Sequence, residues 1–249
     1  MLVKRRSAGF VLPAGKSFYN LPVGKSQLKT LAVQSSEPPA KQRTPAAQNV
    51  LDAAERLAQT RGFNGFSYAD VAAQLSVTKA SLHYHFPSKA ELGRALIERY
   101  RVMFAAELEA IDRRTSDAGE RLRRYVRLYD AVMSSERMCL CGMLAAEYAT
   151  LPEPMQRELR RFFDGNEVWL TSVLESGRRA GRLTFRETAR ERARTMLGAL
   201  EGAMLVARTY GDVRRFRSAA RLALADLGVD RKLPAPAGAL AGDGSVPAR

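Results

Sequence analysis

The chain has 249 residues, 46% of them hydrophobic, enough for one large or two modest domains with a proper core. Its 40 Lys and Arg against 26 Asp and Glu leave a net charge of +14, which favours a polyanionic partner such as nucleic acid or an anionic membrane surface. Cys139 and Cys141 are too close together for a stabilising long-loop disulfide, and no apolar run reaches the ~18 residues of a bilayer span. A disulfide scaffold and a helical membrane protein are excluded, and a reduced, cytoplasmic location is expected.

Residues 1–44 mix Gly, Pro, Ser and Lys without periodicity and end in "SSEPPAKQRTP", so they read as a disordered basic extension. Half of the charge surplus sits there, on Lys4, Arg5, Arg6, Lys16, Lys25, Lys29, Lys41 and Arg43 against Glu37. The tripeptide "GKS" occurs at Gly15 and Gly24, but a phosphate-cradling P-loop needs a further upstream glycine where Phe10 and Tyr19 stand.

From Pro45 the pattern becomes helical, with Val50, Leu51, Ala54, Leu57 and Ala58 on one face and a stop at Gly62. Ser67 with Asp70 opens a short second helix through Leu75. Thr78 caps a third that must end by Pro87, and Ser88 with Glu91 opens a long fourth running to about Asp112. Short helices joined by a tight turn make a helix-turn-helix unit. Beyond it, Asp117 with Glu120 starts a helix to about Arg137, and Glu147 lies on a further one. Pro152 and Pro154 mark entry to a long helix striped by Leu159, Phe162, Phe163, Trp169, Leu170, Val173 and Leu174, closed by Gly177 and Gly181. Two more helices span 187–209 and 212–227, before a tail at 231–249 that reads as disordered. The expected class is all-α: a helix-turn-helix head (45–92), then a helical ligand-binding and dimerisation body (93–230).

The stretch "SVTKASLHYHFPSK" holds both histidines. On a helix, positions i and i+2 point about 200° apart, so His83 and His85 cannot share a metal ion, and no carboxylate between Asp70 and Glu91 orients either as a base. No metal site, cofactor or catalytic cluster is expected, and the chain does not read as an enzyme. The same residues suit a helix entering the DNA major groove, which must be short, free of carboxylates and rich in donors. Lys79, Ser81, His83, Tyr84 and His85 supply donors, Lys89 sits at the next helix start, and Leu82 and Phe86 anchor the inner face. A solvated polar turn over an ordinary core is the alternative.

Residues 50–92, "VLDAAERLAQTRGFNGFSYADVAAQLSVTKASLHYHFPSKAEL", resemble the DNA-binding domain of the TetR family of bacterial transcription regulators. The resemblance implies a homodimer, paired through the last two long helices, that binds a near-palindromic double-stranded operator and releases it to a small-molecule inducer. It assigns Lys79 and Ala80 to base reading, and Ser81, Tyr84, His85 and Lys89 to backbone contacts. With the capping residues Ser67 and Thr78 and with His83, these complete the candidate DNA-binding set. His83 stands where the family commonly has tyrosine, and Ser76 replaces the usual turn glycine, at a cost of about 1 kcal/mol if its conformation is left-handed.

The segment "MCLCGMLAAEYATLPEPMQ" (138–156) resembles one found in a TetR subgroup. Met138, Cys139, Cys141, Met143, Glu147, Tyr148, Phe162, Phe163 and Trp169 are its candidate ligand-binding residues, against plain core packing. Two further readings stay open: a redox- or electrophile-sensing repressor acting through Cys139 and Cys141, and a non-specific DNA-binding architectural protein.

Overall fold

The structure, a computed structural model, describes residues 43–229. The expected extension and tail lie outside the described residues, except for Arg43 and Thr44, which belong with the first helix. Thr44 accepts the Ala47 amide and Pro45 takes the first helical position, so α1 runs Pro45–Arg61. The serine at 67 and Asp70 form a reciprocal capping box for α2, Tyr68–Leu75, and Thr78 caps α3, Lys79–His85. Ser88 accepts the Glu91 amide to start α4, Lys89–Arg114.

These four elements make the head. Leu51, Ala54, Val71, Leu82 and Leu92 are buried in its core, and Tyr68 donates its hydroxyl to the Phe86 carbonyl at 2.7 Å. α4 continues out of the head, and Arg99 in its middle is held to Asp52 and Glu55 of α1, both at 2.6 Å.

The body adds α5 (Ala118–Ser134), α6 (Leu140–Ala146), a 3-10 turn (Tyr148–Thr150), α7 (Glu153–Arg179), α8 (Ala189–Thr209) and α9 (Val213–Ala225). No strand occurs among the described residues, so the all-α expectation holds. Three boundaries differ from the sequence reading for identifiable reasons. α5 stops at Ser134 because Glu136 takes the left-handed conformation, φ 58°, while the Arg137 amide reaches back to the Val132 carbonyl and the Glu136 amide to Met133. Gly177 lies inside α7 instead of ending it: a Cβ there would fall 2.4 Å from Leu183 and 2.7 Å from Ala118, so the glycine permits close packing. Glu147 is not within a helix but follows α6 as its C-cap.

The body core is aromatic and partly polar. Tyr100, Phe104, Tyr125, Tyr129 and Phe162 meet ring to ring, at centroid separations from 5.2 to 6.2 Å. Tyr125 shares a hydrogen bond with Tyr129 (3.0 Å) and donates to Asn166 Oδ1 (2.9 Å), whose amide nitrogen donates to the Phe162 carbonyl. That network is satisfied. Glu201 on α8 is less well served: both carboxylate oxygens are out of contact with solvent, and the partner beside them is the Cys139 thiol, a weak donor. Burial pushes its pKa from 4.5 up to about 7, opposed weakly by the neighbouring Cys139 thiol.

Ser76 ends α2 in the left-handed conformation at φ 55°, exposed, with its amide and that of Val77 turned back to Ala73 and Ala72. Ser76→Gly therefore raises unfolding stability by about 1 kcal/mol, read by denaturant melting; an unchanged midpoint refutes the strain. For Glu201, the raised folded-state pKa means that the unfolded chain ionises first, so stability drains as pH rises from 4.5 through about 7 and is flat above. Melts of wild type and Glu201→Gln at pH 4 and pH 8 should diverge in favour of the variant by about 3 kcal/mol. A pH-independent difference contradicts the burial argument.

Candidate DNA interface and effector-binding residues

α3 is short because its flanks dictate it. Thr78 Oγ1 accepts the Ser81 amide at one end, and Pro87 stops continuation at the other. Leu82 and Phe86 point into the head, leaving Lys79, Ala80, Ser81, His83 and Tyr84 exposed, with Tyr84 at 84%. His85 is half-buried and packs edge to face with Tyr84 at 5.1 Å. The nearest preceding carboxylate, Asp70, is neutralised by Arg61 at 3.5 Å, and the Ser67 hydroxyl and amide hold its pKa below the ordinary range. The exposed face of α3 therefore offers an ammonium, hydroxyls and a phenol without an opposing negative charge.

Three residues of the set sit differently from the sequence reading. The Ser67 hydroxyl and amide both donate to Asp70 Oδ2, at 2.6 and 2.7 Å, so its donors are used inside the cap. His83 packs on Tyr68 with ring centroids 4.7 Å apart, and its Nδ1 lies 3.1 Å from the Pro87 carbonyl. Because a carbonyl only accepts, Nδ1 is the donor in this contact. The Lys89 ammonium turns inward, donating to the carbonyls of Phe63 and Phe66 and lying 4.5 Å from each of their ring centroids. Burial pulls its pKa below the usual lysine value. Two of its three donors thus hold the α1–α2 loop.

The same loop is gripped from the body. Glu147 accepts the Phe63 amide at 2.8 Å and the Asn64 amide at 3.3 Å, and Asn64 donates its side-chain amide to Thr150 at 2.8 Å. Gly62 adopts φ 83°, and a Cβ there would lie 2.4 Å from Glu147 Oε1, so this position needs glycine twice over. Glu147 is therefore a clasp between head and body. A second clasp, absent from the sequence reading, comes from Arg208 on α8, which donates to the carbonyls of Gln59 and Thr60 at the end of α1. The sequence marked it only as a basic residue in the last turn of a helix.

The other candidate ligand residues fall into separate groups. Met138, Cys139, Cys141 and Phe162 are buried in the body, and the Tyr100 hydroxyl lies 3.8 Å from Cys139 Sγ. Met143 lies against Arg208, and the Tyr148 hydroxyl receives Arg160 on the outside of α7. Phe163 packs on Phe162, while Trp169 stacks on Tyr125 and donates to Asp112. Burial pushes both cysteine thiols well above their ordinary range, which favours the unreactive protonated form. No group of metal-binding side chains occurs among the described residues, and none of their helices is long and apolar enough to cross a membrane.

Comparison with known proteins agrees with this architecture. Residues 50–96 match the family description "Bacterial regulatory proteins, tetR family", and residues 118–223 match "Tetracyclin repressor-like, C-terminal domain". A solved TetR-family regulator from Agrobacterium tumefaciens is 36% identical with a TM-score of 0.71, covering 73% of this chain and 97% of that one. The HTH-type transcriptional repressor DhaR of Mycobacterium sp. (strain GP1) is 26% identical over 66% of this chain and 82% of its own. Nucleoid occlusion factor SlmA of Photobacterium profundum is 27% identical over 65% and 83%. With the capped recognition helix at one end and the matching helical body at the other, the chain belongs to the TetR family of bacterial regulatory proteins.

Proposed function

We propose that the chain is a repressor that binds a near-palindromic operator as a homodimer and releases it when a small molecule occupies the body. The observation that carries this reading is α3 itself: a carboxylate-free helix, rigidly seated by Leu82 and Phe86, that turns Lys79, Ser81 and Tyr84 outward. Lys79 and Ala80 at its start read base edges, while Thr78, Ser81, Tyr84 and His85 contact the phosphate backbone. In this role Lys89 positions the loop and Ser67 positions α2; neither reaches DNA through its side chain.

Dimerisation through α8 and α9 is supported by their outward apolar side chains, Leu205, Val206 (52% exposed), Tyr210 (63%) and Leu222. Two heads must then match half-sites about 34–36 Å apart, so any body conformation that alters head separation weakens simultaneous docking. The similarity to SlmA favours a second reading, DNA binding on the scale of the nucleoid without control of a single operator. Footprinting on the DNA upstream of the chain's own coding region, beside a scrambled duplex, separates the two; equal protection selects the second.

Lys79→Ala should cost the operator about 1–3 kcal/mol and random DNA much less. Lys89→Ala should lower the melting temperature of the protein while leaving the salt slope of DNA binding unchanged, because its charge does not face phosphate; a slope reduced by about one would return Lys89 to the interface. Paired Leu205→Glu and Val206→Glu substitutions should convert the dimer to a monomer in sedimentation at micromolar concentration and abolish operator binding. A dimer that survives them places the interface elsewhere.

A further inference from the structure

A cavity of about 440 Å³ lies where the end of α5, the α5–α6 connection, the end of α8 and the start of α9 converge. Of the residues expected to bind a ligand, Met138 lines it, and Met143 lies against its Arg208. Met133, Met138, Ala207 and Val213 give it apolar walls, and Arg137 and Arg208 also line it. Its volume suits a small ligand.

The two guanidiniums are what distinguish it. Most arginines described here reach a carboxylate; these two make no ion pair among the described residues. Arg137 donates to Ser135 Oγ at 3.0 Å and to Gln59 Oε1 at 3.3 Å, and Arg208 donates to the Gln59 and Thr60 carbonyls. Every oxygen they meet is neutral. Of the acidic residues lining the cavity, Asp212 is already held by Arg214 at 2.8 and 3.1 Å, and Glu136 is exposed to solvent. The cavity thus combines apolar walls with two guanidiniums that no carboxylate pairs among the described residues, beside an exposed Glu136 and an Asp212 that Arg214 already holds.

We propose that this cavity is the effector site, that it takes an apolar carboxylate, and that Arg137 and Arg208 bind the carboxylate group. This rests on the reading of the chain as a ligand-released repressor and adds the site and chemical class of the ligand. The coupling follows from what Arg208 gives up. The end of α1 presents only the partial negative charge of its carbonyls, so a full carboxylate forming charge-assisted bonds outcompetes Gln59 and Thr60 for the same donors. Once Arg208 turns to the ligand, the end of α1 loses its contact to α8 and keeps the Met138 amide on the Gln59 carbonyl, so the head is held less firmly. By reciprocity, operator binding, which favours the clasped state, weakens the ligand to the same degree.

The test uses the full chain and decanoate, whose chain of about ten carbons suits the cavity, with decanol and decyltrimethylammonium as the neutral and cationic counterparts. Calorimetry should show decanoate binding at one site per chain and the other two binding at least tenfold more weakly. Decanoate should weaken operator affinity at least tenfold in fluorescence anisotropy. Arg137→Gln, which leaves the Arg208 clasp in place, should lose at least tenfold in decanoate affinity; Val213→Trp, which fills the cavity, should lose as much by steric exclusion. No decanoate binding, equal binding of all three amphiphiles, or unchanged decanoate affinity in both variants overturns the proposal. Because operator affinity is read first without ligand, failure of the regulator reading appears as an absence of sequence preference whatever decanoate does.

Discussion

Between α1 and α2 the chain turns through a loop whose amides and carbonyls no helix satisfies, at the point where head meets body. An unpaired amide there costs about 1–3 kcal/mol, and the structure answers with charges from both sides. Glu147, reaching from the end of α6, takes the amides of Phe63 and Asn64; Lys89, reaching from the start of α4, takes the carbonyls of Phe63 and Phe66. The loop is thereby fixed relative to α4 and to the body at once. Gly62 is the steric condition for this arrangement, since a methyl group in its place would displace the carboxylate. The direction in which α2 leaves the loop, and hence the presentation of α3, depends on that junction.

The body spends its polar groups in two ways. Tyr125, Tyr129 and Asn166 form a closed network in which each buried polar atom has a partner, which fixes α5 against α7 at one register. Glu201 instead buries its oxygens against the weakly donating Cys139 thiol and the α6 backbone, where a Cβ on Gly142 would lie 2.1 Å from Oε2. Stability alone does not account for such a group, since an apolar residue of the same size would cost less. It also weighs against thiolate chemistry: a carboxylate beside Cys139 opposes ionisation of the thiol, adding to the burial that already disfavours it.

What the sequence revealed was chiefly local. Thr44, Ser67, Thr78, Ser88 and Asp117 each cap a helix through an amide within three residues, and such signals can be read in a one-dimensional string. Ser76 was legible too, because a glycine was expected in its place. Glu136 was not: nothing about a glutamate announces a left-handed turn, and α5 was drawn too long. The clasps made by Lys89 and Glu147 were not legible, for a shared reason. Each charge is spent on backbone groups, and Glu147 and its amides lie 83 or 84 positions apart in sequence, so no spacing rule connects them. The candidate pocket dispersed likewise, because a run of apolar residues does not specify which of several cavities each side chain faces.

The placement of the clasps limits how the head can respond to the body. α4 belongs to both, and Arg99 ties it to α1 through two carboxylates, so a signal cannot swing the head about α4 without breaking paired charges. The contacts to the end of α1 are of another kind: Arg208 and Arg137 meet neutral oxygens, and partner exchange there costs less because any incoming anion restores more than is lost. A bistable element needs such a junction, held firmly enough to define one state and loosely enough for a ligand of ordinary affinity to select the other. In this chain ion pairs lie along the shared helix, and exchangeable hydrogen bonds to neutral oxygens lie at the end of α1. Under the proposed coupling, motion of the head begins at the carbonyl end of α1 and pivots on the loop that Glu147 and Lys89 hold.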